Sequence, residues 1–176
     1  AHCRARFGGR WFAEAYLEGR EFNLALLERA GEPELLPIGE IDFSTFPEGR
    51  PRIVDYDAKW TPGSPSYETT PRIFAPRPGD GPLRRELAAL ALETWRLFGL
   101  RGYARVDVRV DAQGRPWILE VNANPCLSAD AGYVAALEEA GLDQRAGVAR
   151  ILEAAGLAPA AAVGAGARRA ERLGVG

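Results

Sequence analysis

The sequence predicts an α+β fold: an antiparallel β-sheet packed with α-helices. Three observations predict it. Several runs alternate apolar and polar residues, as half-buried strands do. Two of these runs flank a short Asp-Ala-Gln-Gly turn, a β-hairpin signal. Helical periodicity is confined to the middle and the end of the chain, so strands and helices do not alternate as a doubly wound parallel sheet requires.

The elements follow in order. Residues 11–28, WFAEAYLEGREFNLALLE, read as two strands around a turn at Glu18-Gly19-Arg20. Phe12, Glu14 and Tyr16 share one face of the first, and Ala13, Ala15 and Leu17 the other. In the second, Phe22, Leu24 and Leu26 alternate with Asn23 and Ala25. ELLPIGEIDF reads as a third strand in which Pro37 favours an edge or a kink. IVDYDAKW is a short strand entering a loop, and residues 60–79, rich in Pro, Gly, Ser and Thr, form a long loop. Asp80 then stands at an N-cap with Pro82 in the first turn. Leu83, Leu87, Leu90, Ala91 and Trp95 recur at helical spacing, and Gly99 can close the helix. The hairpin YARVDVRVDAQGRPWILEVN comes next, followed by two short helices over 130–140 and 143–155 and an Ala/Gly-rich tail.

Composition excludes several functions. The chain has 176 residues, 47% hydrophobic and 26% charged, with a formal net charge of −2. That is the profile of a globular domain. No basic tract supports a nucleic-acid partner. No apolar run reaches the ~20 residues that span a membrane. Two cysteines, Cys3 and Cys126, make no disulfide framework, so a cytoplasmic setting is expected. The one histidine, His2, lies at the start of the chain, which removes most His-based metal sites and nucleophile schemes. Chemistry here falls to carboxylates, Arg, Asn, backbone and Lys59, the only lysine among 22 Lys and Arg residues.

The hairpin concentrates that chemistry. A register pairing Val110 with Trp117 sets Asp107 opposite Glu120 and Arg105 opposite Asn122. Arg105, Asp107, Arg109, Glu120 and Asn122 then share one face. Ala104, Val106, Val108, Leu119 and Val121 share the other, as a core face. Two carboxylates directly across a ladder repel and call for a cation. Arg105 and Arg109 can supply it on a solvated, salt-bridged face. The alternative is a hard cation, because two carboxylates and an amide oxygen suit Mg²⁺ and not Zn²⁺.

GREF, DYDAK, YARVDVRVD and ILEVNANP, in this order, resemble the C-terminal part of the ATP-grasp superfamily. The likeness is greatest to the D-alanine–D-alanine ligase group of carboxylate–amine ligases and covers roughly residues 12–155. The resemblance implies an ATP- and Mg²⁺-dependent ligase that forms an amide or peptide bond through an acyl phosphate. It implies Asp107, Glu120 and Asn122 as metal ligands, with Glu120 shared between two Mg²⁺ ions on the ATP phosphates. It makes Arg105 the arginine that stabilises charge on the transferring phosphate, and Lys59 a phosphate contact. Glu14, Ala15 and Leu17 would meet adenine, Leu119 would lie under it, and Glu21 would bind the ribose.

The same resemblance divides the chain. Residues 1–16 match the last strand and hinge of a central lobe, 17–156 the C-terminal lobe, and 157–176 a tail. The implied partners are a small carboxylate and an amine substrate, together with N-terminal and central lobes of the same protein that this sequence lacks. The opening AHCRARFGGRW has no initiator Met, which fits a C-terminal fragment with little activity of its own. A non-catalytic remnant of the lobe, an ATP-grasp kinase and an acid–thiol ligase are the alternatives. Cys126 departs from the ligases, which carry Gly after the Asn-Pro pair, and so does the LSADAG that follows. Both departures bear on the substrate.

Overall fold

A computed structural model describes residues 2–57, 61 and 63–157 of the chain. The described tail is Leu157 alone; Lys59 and residues 158–176 lie outside. The expected α+β architecture is present. Strands β1 (Gly19–Arg29), β2 (Glu32–Leu35), β3 (Gly39–Ile41), β4 (Arg72–Ile73), β5 (Tyr103–Asp111) and β6 (Pro116–Asn122) form one antiparallel sheet. Its order is β4-β3-β1-β5-β6, with β2 also on β1. The helices lying wholly within the described residues are α1 (His2–Phe7), α2 (Pro65–Glu68), α3 (Gly81–Leu97), α4 (Gly132–Glu139) and α5 (Gln144–Ala154).

The central pair β1–β5 explains the layering. On one face Phe22 pairs Val108, Leu24 pairs Val106 and Leu26 pairs Ala104. All six are buried, under Leu87, Ala91 and Trp95 of α3. On the other face Leu27 pairs Tyr103 and Ala25 pairs Arg105. There Ala25 and Leu27 pack with Tyr133, Ala136 and Leu137 of α4. Further along this second face come the pairs Asn23–Asp107 and Glu21–Arg109; Asn23, Asp107 and Glu21 border one open cavity and Arg109 a second beside it. The apolar half of the face therefore fixes where the polar half lies.

Local chemistry sets the ends of the elements. Pro37 falls between β2 and β3, which pair with different stretches of β1, so the proline divides one expected strand into two. Gly99, at φ 58°, follows α3 and donates to Arg96 O at 3.2 Å, while Leu100 N reaches Trp95 O at 3.0 Å. This is the glycine stop expected from the sequence. Asp80 does occupy the N-cap position, but its side chain makes no capping bond. Its carboxylate instead receives Arg20 Nη1 and Nη2 at 2.8 and 2.7 Å. The tie fastens the start of α3 to the buried Glu40, which Arg20 also grips at 2.9 and 2.7 Å.

Several expectations are corrected. Residues 11–18 form no strand, because no neighbouring strand among the described residues pairs with them; Trp11, Phe12 and Tyr16 are exposed. Residues 53–57 form no strand either. The long loop carries α2 and β4. At the hairpin tip Arg109 pairs Trp117 and Val110 pairs Pro116, one residue away from the expected register. A bulge opposite Asp107/Val108 absorbs the slip, so Asp107–Glu120 and Arg105–Asn122 remain partners as expected. The bulge takes Leu119 out of the core face. Ile118 and Leu119 are 42% and 51% exposed because β6 is the sheet edge.

Candidate functional site

The polar half of the β1–β5–β6 face is the floor of two adjoining cavities. The larger, about 780 Å³, is lined by Glu21, Asn23, Arg72, Arg105, Asp107, Glu120, Asn122 and the 124–132 turn. The smaller, about 260 Å³, is lined by Ala15, Tyr16, Leu17, Glu21, Ile53, Val54, Arg109 and Leu119. Asp107, Glu120, Glu21 and Val54 border both. Alternation along β5 points Arg105, Asp107 and Arg109 the same way, and the β5–β6 register adds Glu120 and Asn122.

Asp107 is the anchored carboxylate. Arg105 grips it through Nε and Nη2 at 2.7 and 2.8 Å, and Asn23 Nδ2 donates to Oδ1 at 2.9 Å. A carboxylate offers about four lone-pair positions, so one stays available. Glu120, its cross-strand partner, is exposed and has no hydrogen-bond or ion-pair partner among the described residues. The Asn122 amide oxygen accepts from Asn124 N at 2.9 Å, which makes the turn that carries the chain away from β6.

Charge at the site is governed by Arg105. Burial alone would lower its pKa. The hydrogen bonds and charge of Asp107, with the charges of Glu120 and Glu21, more than reverse this and raise it. Arg105 therefore stays cationic. The two facing acids repel less because this cation stands beside them, as the register demanded.

Two carboxylates and an amide oxygen are hard donors of the kind Mg²⁺ takes, an ion that keeps several waters and shares its coordination with phosphates. Among the described residues no group of three or more His, Cys, Asp or Glu comes together as a metal site. The donor set consists of two carboxylates and an amide, one carboxylate held and the other open, and that suits a shared ion better than an all-protein cage.

The smaller cavity brings together four of the residues expected around adenosine: Ala15, Leu17, Glu21 and Leu119. Leu119 reaches it because of the bulge; strict alternation would have left it in the core. Glu14 is exposed and borders neither cavity. Lys59 lies outside the described residues.

Sequence reading missed Asn23, Arg72 and the role of Arg109. Asn23 breaks the apolar run of β1 and meets Asp107 across the ladder; aligning β1 on β5 would have found it. Arg72 donates from Nε to Asn23 Oδ1 at 3.3 Å, a contact between segments 49 residues apart that no local pattern marks. Cys126 lies on the larger cavity with its sulfur 3.1 Å from Ser128 Oγ. Hydrogen bonds from the Ser128 side chain and backbone lower the Cys126 pKa.

Comparison with known proteins bears on the family and the fold. Residues 4–153 match the family described as the D-ala D-ala ligase C-terminus. A D-alanine–D-alanine ligase of Gloeobacter violaceus is 36% identical over 140 residues, 80% of this chain and 41% of that protein. A D-alanine–D-alanine ligase of Moorella thermoacetica is 37% identical over 133 residues, 76% of this chain and 39% of that one. The chain thus spans about two fifths of the length of these relatives. The fold superposes on the D-alanine–D-alanine ligase of Coxiella burnetii with a TM-score of 0.60 at 19% identity, covering 81% of this chain and 33% of that one. For the Bacillus anthracis enzyme complexed with ATP the TM-score is 0.57 at 19% identity, over 79% and 38% of the two chains.

Proposed function

Because the chain belongs to the D-ala D-ala ligase C-terminus family, we propose that it is the C-terminal ATP-grasp lobe of an ATP-dependent carboxylate–amine ligase. The γ-phosphate of ATP passes to a substrate carboxylate and gives an acyl phosphate and ADP. An amine then attacks the acyl carbon; phosphate leaves, the amine gives up a proton, and an amide or peptide bond results. The observation that supports this best is the assembly of Arg105, Asp107, Glu120 and Asn122 on one wall of one cavity.

The residues divide the work. Asp107, Glu120 and Asn122 would hold two Mg²⁺ ions, which offset charge between the phosphates when bound. Arg105 faces the developing negative charge with a cation fixed in advance by Asp107, so little reorganisation is needed during the transfer. Glu21 accepts from the ribose, Ala15 and Leu17 meet adenine through backbone and packing, and Leu119 supports the ring. Lys59 contacts phosphate as a point charge. The nucleotide pocket is completed by N-terminal and central lobes of the same protein, which also select the carboxylate and the amine, in the cytoplasm. No helix among the described residues is long and apolar enough to cross a membrane.

Replacing Glu120 by Gln in protein expressed from the complete reading frame tests the reading. Mg²⁺-dependent ATP turnover should fall by about 10³-fold or more. Turnover at the wild-type rate would remove the metal from the scheme. The isolated chain should bind Mg·ATP with a Kd weaker than about 100 μM, because one lobe covers only one side of the nucleotide; low-micromolar binding by calorimetry would contradict that.

A further inference from the structure

Arg109 stands at the end of the polar row on β5 and is only 2% exposed. Its guanidinium reaches three separate segments. Nη1 donates to the Leu17 carbonyl at 3.0 Å, and Nη2 donates both to the Arg52 carbonyl at 2.6 Å and to the Glu21 carboxylate. The Tyr16 and Phe43 rings flank it, with centroids 5.7 and 5.8 Å from Cζ. Leu17, Glu21 and the Ile53-Val54 stretch after Arg52 all line the smaller cavity. One planar fork therefore ties three of its walls together.

One donor of this fork carries a desolvation cost. Arg109 Nε is buried without a hydrogen-bond partner. A buried ion pair is also weak grounds for stability, since apolar side chains of similar volume serve as well or better. Such a group calls for an explanation beyond packing.

We propose that Arg109 is the positioning residue for the adenosine end of the nucleotide site. It holds Glu21 through Oε2, which leaves Oε1 for a ribose hydroxyl, and it fixes the Leu17 carbonyl and the 52–54 segment that flank the base. This inference rests on the ligase reading for the identity of the ligand, a ribonucleoside triphosphate, and adds a residue that sets its affinity without touching phosphate.

The variant Arg109→Lys keeps a charge beside Glu21 but loses the fork. In protein expressed from the complete reading frame, calorimetry should show its Mg·ATP affinity reduced about tenfold or more, with Mg·tripolyphosphate affinity within about twofold of wild type. KM for ATP should rise while kcat stays within about threefold. The pair Arg109→Met with Glu21→Gln strands no buried charge; it should show the same loss of ATP affinity and bind 2′-deoxyATP as well as ATP. Unchanged ATP affinity in both variants would overturn the proposal. So would equal losses for ATP and tripolyphosphate, which mark a purely structural role. A wild-type protein that binds no Mg·ATP would overturn the ligase reading and this inference with it.

Discussion

Arg105 holds Asp107 by both carboxylate oxygens, at 2.7 and 2.8 Å, although the two residues are neighbours on one strand face rather than partners across the ladder. The grip fixes the guanidinium within the cavity that Glu120 and Asn122 also line. It also compensates the Asp107–Glu120 cross-strand pair.

Replacing Arg105 by Met should therefore lower ATP turnover by about 10²–10³-fold, the cost of losing one preorganised electrostatic donor. Nucleotide KM should move much less, because the loss falls mainly on the transition state. Steady-state phosphate release gives both numbers. A fall under about fivefold would take Arg105 out of the transfer step.

Asn23 acts through Asp107, donating to Oδ1 at 2.9 Å. With Asp107 as the proposed Mg²⁺ ligand, a group that orients it is worth about 10–100-fold in metal affinity. Asn23→Ala should raise the Mg²⁺ concentration for half-maximal ATP turnover by about that factor, with turnover largely restored at saturating Mg²⁺. A Mg²⁺ titration checks it; an unchanged midpoint would leave Asn23 with no part in orienting the carboxylate.

Much of this site was legible because a hairpin is local. A short turn fixes the register, so Asp107–Glu120 and Arg105–Asn122 follow from residues within 20 positions of each other. Helix α3 was legible for the same reason, its buried Leu87, Ala91 and Trp95 lying at helical spacing. Arg72 and the role of Arg109 were not, since their partners Asn23 and Glu21 are 49 and 88 residues away and meet them only once β1 lies between β3 and β5. The bulge at Leu119 was invisible too, because an apolar residue in an alternating run reads as core whether or not the strand slips. Residues 11–17 have the alternation of a strand, but alternation cannot supply a partner.

Gly19 opens β1 at φ 155° opposite Asp111. A Cβ there would stand 1.9 Å from the Val110 carbonyl oxygen, a backbone atom held in the ladder. Gly19→Ala should destabilise the fold by about 2 kcal/mol or more, because the strand end must open to admit the methyl group. Urea unfolding measures it, and a midpoint equal to wild type would mean that the strand end yields freely.

The Asp80 tie to Arg20 carries a pH signature. Arg20's hydrogen bonds chiefly hold the Asp80 pKa at about 2, against an ordinary 3.8. Between these values the unfolded chain binds more protons than the folded one, so stability rises with pH there. The contribution is complete above the unfolded value and is lost as pH falls toward about 2. Asp80→Asn should accordingly lower the urea midpoint at pH 6 and lower it much less at pH 2.5. An equal gap at both values would show that the pair contributes no pH dependence.

Leu119 separates two roles that its sequence position confounds. In a core strand, Leu→Ala costs about 2–5 kcal/mol through lost burial and the cavity left behind. Here the side chain is 51% exposed and borders the smaller cavity, so truncation removes little buried area. Leu119→Ala should cost under about 1 kcal/mol in urea unfolding. By contrast Val106→Ala, at a fully buried position on β5, the strand next to the edge, facing α3, should cost about 2 kcal/mol. On the proposed reading the effect of Leu119→Ala falls on the ligand instead. Apolar support lost from beneath a bound base should weaken nucleotide binding by about three- to tenfold. Comparing unfolding midpoints with ATP affinities in the same two variants distinguishes the roles. A Leu119→Ala protein as unstable as the Val106→Ala one would return Leu119 to the core and remove the bulge from the nucleotide site.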